Sequence, residues 1–345
     1  MIMLLIVGAV ITPPLMAETL KIGGKTFDPT VSVSDISVDG KTKGTIKYNA
    51  TQKTLTFTNV TMSSNYTLLN YDGEKLTVLF KGKNILKSKY HVFRVTTTKN
   101  FYIGSDTGDR YDYEYPHSYA ELSTENKGDD TGNYFAISAT VSGTFRVTGV
   151  YLKAKAYSHA IRCHDNAFVA KMACIDAEST KGVAAIYGMT SCEIGGGSYL
   201  LEGEFNASKK VIVNGSTTMT HVRILPELTV GGIIVDTSIG GGFYLHPEGM
   251  TGGGIRYDRD EKSLTLGTLT GTFGDVNLPA PYGQHLVYNA KIDGLNVKVS
   301  GTNTIKTNAN VTDNNGYTTG GYGIYSDKDI TIIGASDDYT KDVFT

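Results

Sequence analysis

The chain has 345 residues, of which 40% are apolar and 19% are charged, with a formal charge of -2 at neutral pH. This composition is typical of a folded globular protein and excludes an intrinsically disordered chain. The near-neutral balance lacks the excess of Lys and Arg that binding to a phosphate backbone requires, so nucleic acid is not the expected partner. The 40 Gly and 22 Tyr, without any Trp, favour short strands joined by many turns.

Residues 1–17 have the pattern of a signal peptide. The apolar run from Ile2 to Ile11 is about ten residues long, which is too short to span a bilayer as a helix. The predicted cleavage point lies between Ala17 and Glu18, and a buried N-terminal strand is the alternative. No later segment reaches spanning length, so the sequence predicts a secreted or cell-surface protein without a membrane span.

A hairpin pattern occurs twice in the chain. The segment IKYNATQKTLTF at 46–57 returns as IRYDRDEKSLTL at 255–266. In each copy, apolar residues alternate with polar ones on both sides of a polar turn, as in two antiparallel strands with one buried face. The sequence therefore predicts a β-hairpin at the start of each of two modules.

The repetition extends beyond the hairpins, because LKIGG at 20–24 matches LTVGG at 228–232. A duplicated module explains these matches better than chance. We expect a first module over 18–215, a linker over 216–226, and a second, incomplete module over 227–345.

A shorter period lies between the two copies. Ile137, Ile161 and Ile186 follow one another at intervals of 24 and 25 residues (161 minus 137, 186 minus 161), among alternating segments with no helical stripe. Strands and turns that repeat every 20 to 25 residues favour a parallel β-helix, in which coils stack and equivalent residues form ladders. The fold class is thus predicted as all-β, with tandem β-sandwiches as the alternative.

Two further motifs recur and suggest a family. Gly82 and Asn84 of the first copy align with Gly301 and Asn303 of the second, and YGIYS follows at 322–326. Together with the hairpins, these motifs resemble secreted bacterial repeat proteins labelled "carbohydrate-binding domain-containing", over about residues 20–104 and 228–335. The resemblance implies a right-handed β-helix of the pectate-lyase-like type and a carbohydrate ligand. It assigns the matched residues, Asn84 and Asn303 included, to turn and core positions.

The segment SDTGDRYDYEYPHSYAE at 105–121 is the predicted binding loop. On an extended chain its tyrosines share one face and its acidic residues the opposite one, and aromatic faces can stack on sugar rings. The alternative is a solvated insertion whose tyrosines pack over the coils. The candidate carbohydrate-binding residues are Tyr111, Tyr113, Tyr115, Tyr119, Asp109, Arg110 and Asp112.

The sequence offers no catalytic residue, metal-ligand set or cofactor motif. Cys163 and His164 are adjacent in a predicted strand and point to opposite faces. Cys163, Cys174 and Cys192 lack the paired spacing of a zinc site, and they form either buried thiols or one disulfide with a free thiol.

We therefore expect a secreted or surface-displayed, non-catalytic protein that binds carbohydrate or contributes to an adhesive surface. A polysaccharide lyase or glycoside hydrolase of the same fold is the first alternative. A structural stalk without a ligand is the second.

Overall fold

The computed structural model describes residues 18–105, 118–125, 133–247, 249–273, 278, 282, 284–307, 310–312, 318–320, 322–334 and 343–344. Within these ranges the chain forms strands and no helix. The all-β class predicted from the sequence is therefore confirmed. The predicted signal peptide, residues 1–17, lies outside the described residues.

The first module contains β1 (Thr19–Ile22), β2 (Lys25–Phe27), β3 (Lys41–Asn49), β4 (Thr54–Ser64), β5 (Leu69–Gly73), β6 (Leu76–Lys81), β7 (Lys83–Ser88), β8 (Phe93–Thr97), β9 (Phe101–Ser105), β10 (Tyr119–Thr124), β11 (Ile137–Val141), β12 (Thr144–Thr148), β13 (Tyr151–Ala156), β14 (Ile161–Lys171), β15 (Cys174–Ser179), β16 (Ile186–Gly195), β17 (Ser198–Leu200), β18 (Glu204–Asn206), β19 (Val211–Asn214), β20 (Thr217–Thr218) and β21 (His221–Pro226).

The second module contains β22 (Leu228–Val230), β23 (Ile233–Ile234), β24 (Gly242–Leu245), β25 (Met250–Gly252), β26 (Ile255–Asp258), β27 (Ser263–Gly267), β28 (Leu269–Phe273), β29 (Val287–Asn289), β30 (Leu295–Ser300), β31 (Thr302–Thr307), β32 (Asn310–Thr312), β33 (Thr318–Gly320), β34 (Ile324–Ser326), β35 (Ile330–Gly334) and β36 (Val343–Phe344).

Three ladders of parallel strands organise the first module. The first ladder joins β5, β8, β11 and the N-terminal halves of β14 and β16. The second ladder joins the start of β4 to β6, β9, β12 and the C-terminal halves of β14 and β16. The third ladder joins the end of β4 to β7, β10, β13 and β15. One passage of the chain through the three ladders is a coil.

The register of the ladders agrees with the period read from the sequence. Ile137 pairs with Ile161, and Ile161 pairs with Ile186, all three in the core. On the second ladder, Phe145 lies between Phe101 and Phe168, with ring centroids 5.0 and 5.5 Å away. Parallel pairing of this kind differs from the antiparallel sheets of the tandem β-sandwiches considered as the alternative.

The second module repeats the pairing pattern of the first. The hairpin of β3 and β4 pairs Tyr48 with Leu55, and the hairpin of β26 and β27 pairs Tyr257 with Leu264. The parallel pair of β4 with β6 corresponds to β27 with β30, and the antiparallel pair of β1 with β5 corresponds to β22 with β29. These strand pairings therefore occur once in each of the two segments.

The segment 216–226, predicted as a linker, contains β20 and β21. Strand β21 runs antiparallel to β15 and ends the parallel third ladder. Val222 and Ile224 are buried against the core, while His221 and Arg223 alternate with them on the exposed face. The alternation explains the difference from the prediction, because it gives this segment one apolar face that is buried in a strand.

Candidate functional site

The outward face of the third ladder meets the second module. On β10, β13 and β15, Ala120, Leu152 and Ile175 point into the core. Their neighbours Tyr119, Tyr151 and Cys174 point outward and are in register with one another. Outward residues of a sheet are ordinarily solvated, yet only 3% of Tyr151 is exposed. The second module therefore covers this part of the ladder.

A small apolar cluster joins the two modules at this point. Tyr151 and Cys174 of the first module pack with Ile234, Leu278 and Tyr282 of the second. The Tyr151 hydroxyl donates a hydrogen bond of 2.8 Å to the carbonyl of Gly232. Burial holds the Tyr151 hydroxyl against its acceptor, so this bond orients the ring as well as joining the modules.

A cleft of about 350 Å³ opens beside this cluster. Its size is within the range of small-molecule sites in proteins. Four tyrosines form much of its wall, with the centroids of Tyr151 and Tyr282 5.4 Å apart and those of Tyr282 and Tyr288 also 5.4 Å apart. The lining residues are Tyr119, Tyr151, Leu152, Lys153, Cys174, Asp176, Arg223, Leu225, Tyr282 and Tyr288.

Charged residues of alternating sign cross the floor of the cleft. Lys153 pairs in register with Asp176, and Asp176 with Arg223 on β21. Asp176 Oδ1 lies 2.5 Å from Nε2 of His221, and Arg223 lies 4.0 Å from Glu202. Within the described part of the chain, Lys153 makes no ion pair. The cleft thus combines apolar ring faces with hydrogen-bonding groups of both signs.

Three tyrosines of the cleft, Tyr119, Tyr282 and Tyr288, keep their protons. Burial raises the pKa of Tyr119, and the nearby Glu121, which accepts a 3.2 Å hydrogen bond from the Tyr119 hydroxyl, raises it further. Burial likewise raises the pKa of Tyr282 and of Tyr288, and the charge of Asp327 adds to the effect at Tyr288. Each phenol therefore acts as a hydrogen-bond donor and acceptor and not as a base.

Nothing among the described lining residues has the arrangement of a glycosidase site. Asp176 is the one carboxylate in that lining, and it is hydrogen-bonded to His221. Hydrolysis of a glycosidic bond ordinarily uses two carboxyl groups on opposite sides of the bond. Burial also raises the pKa of the Cys174 thiol to about 12, so this sulfur is not a thiolate near neutral pH.

The structure locates only part of the predicted binding loop. Tyr119 lines the cleft. The other candidates, Asp109, Arg110, Tyr111, Asp112, Tyr113 and Tyr115, lie outside the described residues. The described residues on either side of these candidates, Ser105 and Ser118, are joined by a hydrogen bond of 2.7 Å between their side chains, and Ser118 directly precedes Tyr119.

Sequence reasoning missed Tyr151, Lys153, Tyr282 and Tyr288. The first two were detectable, because SYAELS at 118–123 and VYLKAKA at 150–156 are equivalent third-ladder strands that both begin with an outward Tyr. Tyr282 and Tyr288 gave no local signal, since only the docking of the two modules brings them to the cleft.

Compared with known proteins, the chain matches no family model, no curated protein and no solved structure. None of the described segments forms a helix with the length and apolarity needed to cross a bilayer.

Proposed function

We propose that this chain is a secreted or cell-surface, non-catalytic protein that binds carbohydrate in the cleft between its two modules. The observation that carries the proposal is the tyrosine wall of Tyr119, Tyr151, Tyr282 and Tyr288 beside the polar floor. Sugar rings present C–H groups on their faces and hydroxyls at their edges. Tyrosine rings can pack against the faces, while Lys153, Asp176 and Arg223 can bond the hydroxyls.

We further propose that the three ladders close into a right-handed parallel β-helix of the pectate-lyase-like type, present once in each module. The recurrence of the three ladders in the same order in both modules supports this architecture. The stacked coils provide a rigid frame, which holds cleft residues from several strands in fixed positions.

Glycan-array screening of the full chain, followed by calorimetric titration of the glycan retained best, tests the binding proposal. Tyr288→Ala removes a ring from the cleft wall and is expected to weaken binding at least tenfold, since buried aromatic anchors dominate such sites. Tyr244→Ala is the matched control, because Tyr244 is 57% exposed and does not line the cleft. The Tyr244→Ala variant should bind the glycan with the same affinity as the unmodified chain.

The same glycans also test the two alternatives. Release of reducing or unsaturated ends from the retained glycan would assign the protein to the lyases or hydrolases. If the protein retained no glycan on the array, the result would favour the structural stalk without a ligand. If Tyr288→Ala and Tyr244→Ala lost the same affinity for the glycan, the cleft would not be the binding site.

A further inference from the structure

A second set of functional groups lies on the outward face of the first ladder, which is a different face from the cleft. Arg94, Ser138, Arg162 and Tyr187 occupy equivalent positions on four successive strands, in register with one another. Their chain neighbours Phe93, Ile137, Ile161 and Ile186 point into the core. Two strand separations, about 10 Å, therefore lie between the backbone positions of the two arginines.

Arg94 is exposed and Arg162 is half-buried on this face. In the part of the chain that the structure describes, neither Arg94 nor Arg162 has a carboxylate or carbonyl partner. Arg162 lies over the ring of Phe135, 5.0 Å from its centroid, and this contact holds the guanidinium against the sheet. A nearby carboxylate, Asp165, is already paired with Lys210.

The surroundings add neutral donors and aromatic rings to the two charges. His164 Nε2 lies 3.1 Å from the hydroxyl of Ser138, between the two arginines. Burial lowers the pKa of His164, and Arg162 and Arg94 lower it further, so its ring is neutral at pH 7. At the end of the row, Tyr187 is 38% exposed and stacks on His159 with 4.6 Å between centroids.

We propose that this face binds an anionic linear polysaccharide, with carboxylate or sulfate groups on Arg94 and Arg162 and a sugar ring against Tyr187. Arginine pairs with such anions through two parallel hydrogen bonds. The separation of the two arginine positions is comparable to the length of a disaccharide, so a polymer with a charge on every sugar, or on every second sugar, places an anion at each position. Nucleic acid fits less well, because the chain carries a formal charge of -2 and this row has only two fixed cations.

Calorimetric titration of the full chain with polygalacturonate, dextran sulfate and uncharged dextran tests this proposal. We expect one or both charged polymers to bind at low salt and to lose affinity as the salt concentration increases. Uncharged dextran should show no binding that depends on Arg94 or Arg162. Arg94→Gln and Arg162→Gln should each weaken the binding about tenfold, the scale of a lost charge-assisted hydrogen bond. Preference for polygalacturonate identifies carboxylate as the anion, and preference for dextran sulfate identifies sulfate.

Arg146→Gln is the matched control, since Arg146 is exposed on the second ladder and its replacement removes the same charge from another face. Equal weakening by Arg146→Gln would overturn the proposal, as would tighter binding of single-stranded DNA or phosphatidylserine vesicles through Arg94 and Arg162. Arg162→Lys keeps the charge and should retain part of the affinity. Arg94→Gln should leave glycan binding in the cleft unchanged, so failure of this site and failure of the cleft are distinguishable.

Discussion

Asn84 and Asn303 occupy the same corner of the two modules, between the second and third ladders, and both are fully buried. The Asn84 side-chain oxygen accepts from the N–H of Val60 at 2.9 Å, and its amide nitrogen donates to the carbonyls of Lys81 and Gly82. Asn303 makes the equivalent bonds, accepting from Leu269 at 2.9 Å. Because the corner interrupts the backbone ladder, the amide satisfies groups that would otherwise be buried without partners.

Replacement of Asn84 by Ala should therefore destabilise the protein by about 3 kcal/mol, since buried backbone groups lose their partners. Urea unfolding followed by circular dichroism measures the change. Asn70→Ala is the control, because Asn70 is only partly buried and its side chain makes no hydrogen bond in the described part of the chain. If Asn84→Ala lowered the free energy of unfolding no more than Asn70→Ala does, the Asn84 amide would not stabilise the corner.

Successive coils of the first ladder are joined by a histidine in both modules. His91 precedes β8, and its Nδ1 accepts from the backbone N–H of Phe135 in the next coil at 3.1 Å. His285 precedes β29 and accepts from Tyr322 N–H at 3.2 Å in the same way. A ring nitrogen accepts a hydrogen bond only while it is unprotonated, so these contacts need neutral histidine.

The histidine contact makes the first module sensitive to acid. Burial, and then the charge of Arg94, lowers the pKa of His91 from 6.5 to about 4. The unfolded chain therefore takes up this proton at a higher pH than the folded chain does. The stability that neutral His91 contributes is complete above pH 6.5, is lost as the pH falls toward about 4, and changes no further below that value.

Thermal unfolding at pH 7 and at pH 4.5 measures this dependence. We expect a larger fall in Tm between the two pH values for the unmodified chain than for His91→Gln, which keeps an acceptor for the Phe135 N–H but does not titrate. An equal fall in both chains would assign the acid sensitivity to other groups.

At the scale of strands, the sequence predicted those features that follow from the local alternation of apolar and polar residues. The hairpins around Tyr48 and Tyr257 and the stacking of Ile137, Ile161 and Ile186 follow from the two-residue alternation and from the coil period. The antiparallel end strand β21 was taken for a linker, because a single alternating segment does not reveal its partner or its direction. The cleft was missed for a related reason, since its wall combines residues more than a hundred positions apart.

In the whole molecule, the two modules depend on each other at the cleft. Tyr151 and Cys174 of the first module pack with Tyr282 and Ile234 of the second in one buried cluster. Other contacts add to this junction, including the hydrogen bond of 2.8 Å from Glu227 N–H to the Gly197 carbonyl and the position of Lys291 Nζ 5.0 Å from the centre of the Tyr199 ring. Stacked repeats take much of their stability from such interfaces between neighbours.

Tyr282→Ala is expected to destabilise the second module by about 3 kcal/mol, because it removes a large side chain from a buried cluster and leaves a cavity. Hydrogen exchange measured by mass spectrometry resolves where the loss occurs. Protection should fall in β29 and β30, which follow Tyr282, and remain unchanged in β5 and β6 at the far end of the first module. Tyr244→Ala, in the same module but with its ring 57% exposed, should change neither region. Equal loss of protection in β5 and in β29 would contradict this expectation. It would mean that the two modules unfold together as one cooperative unit.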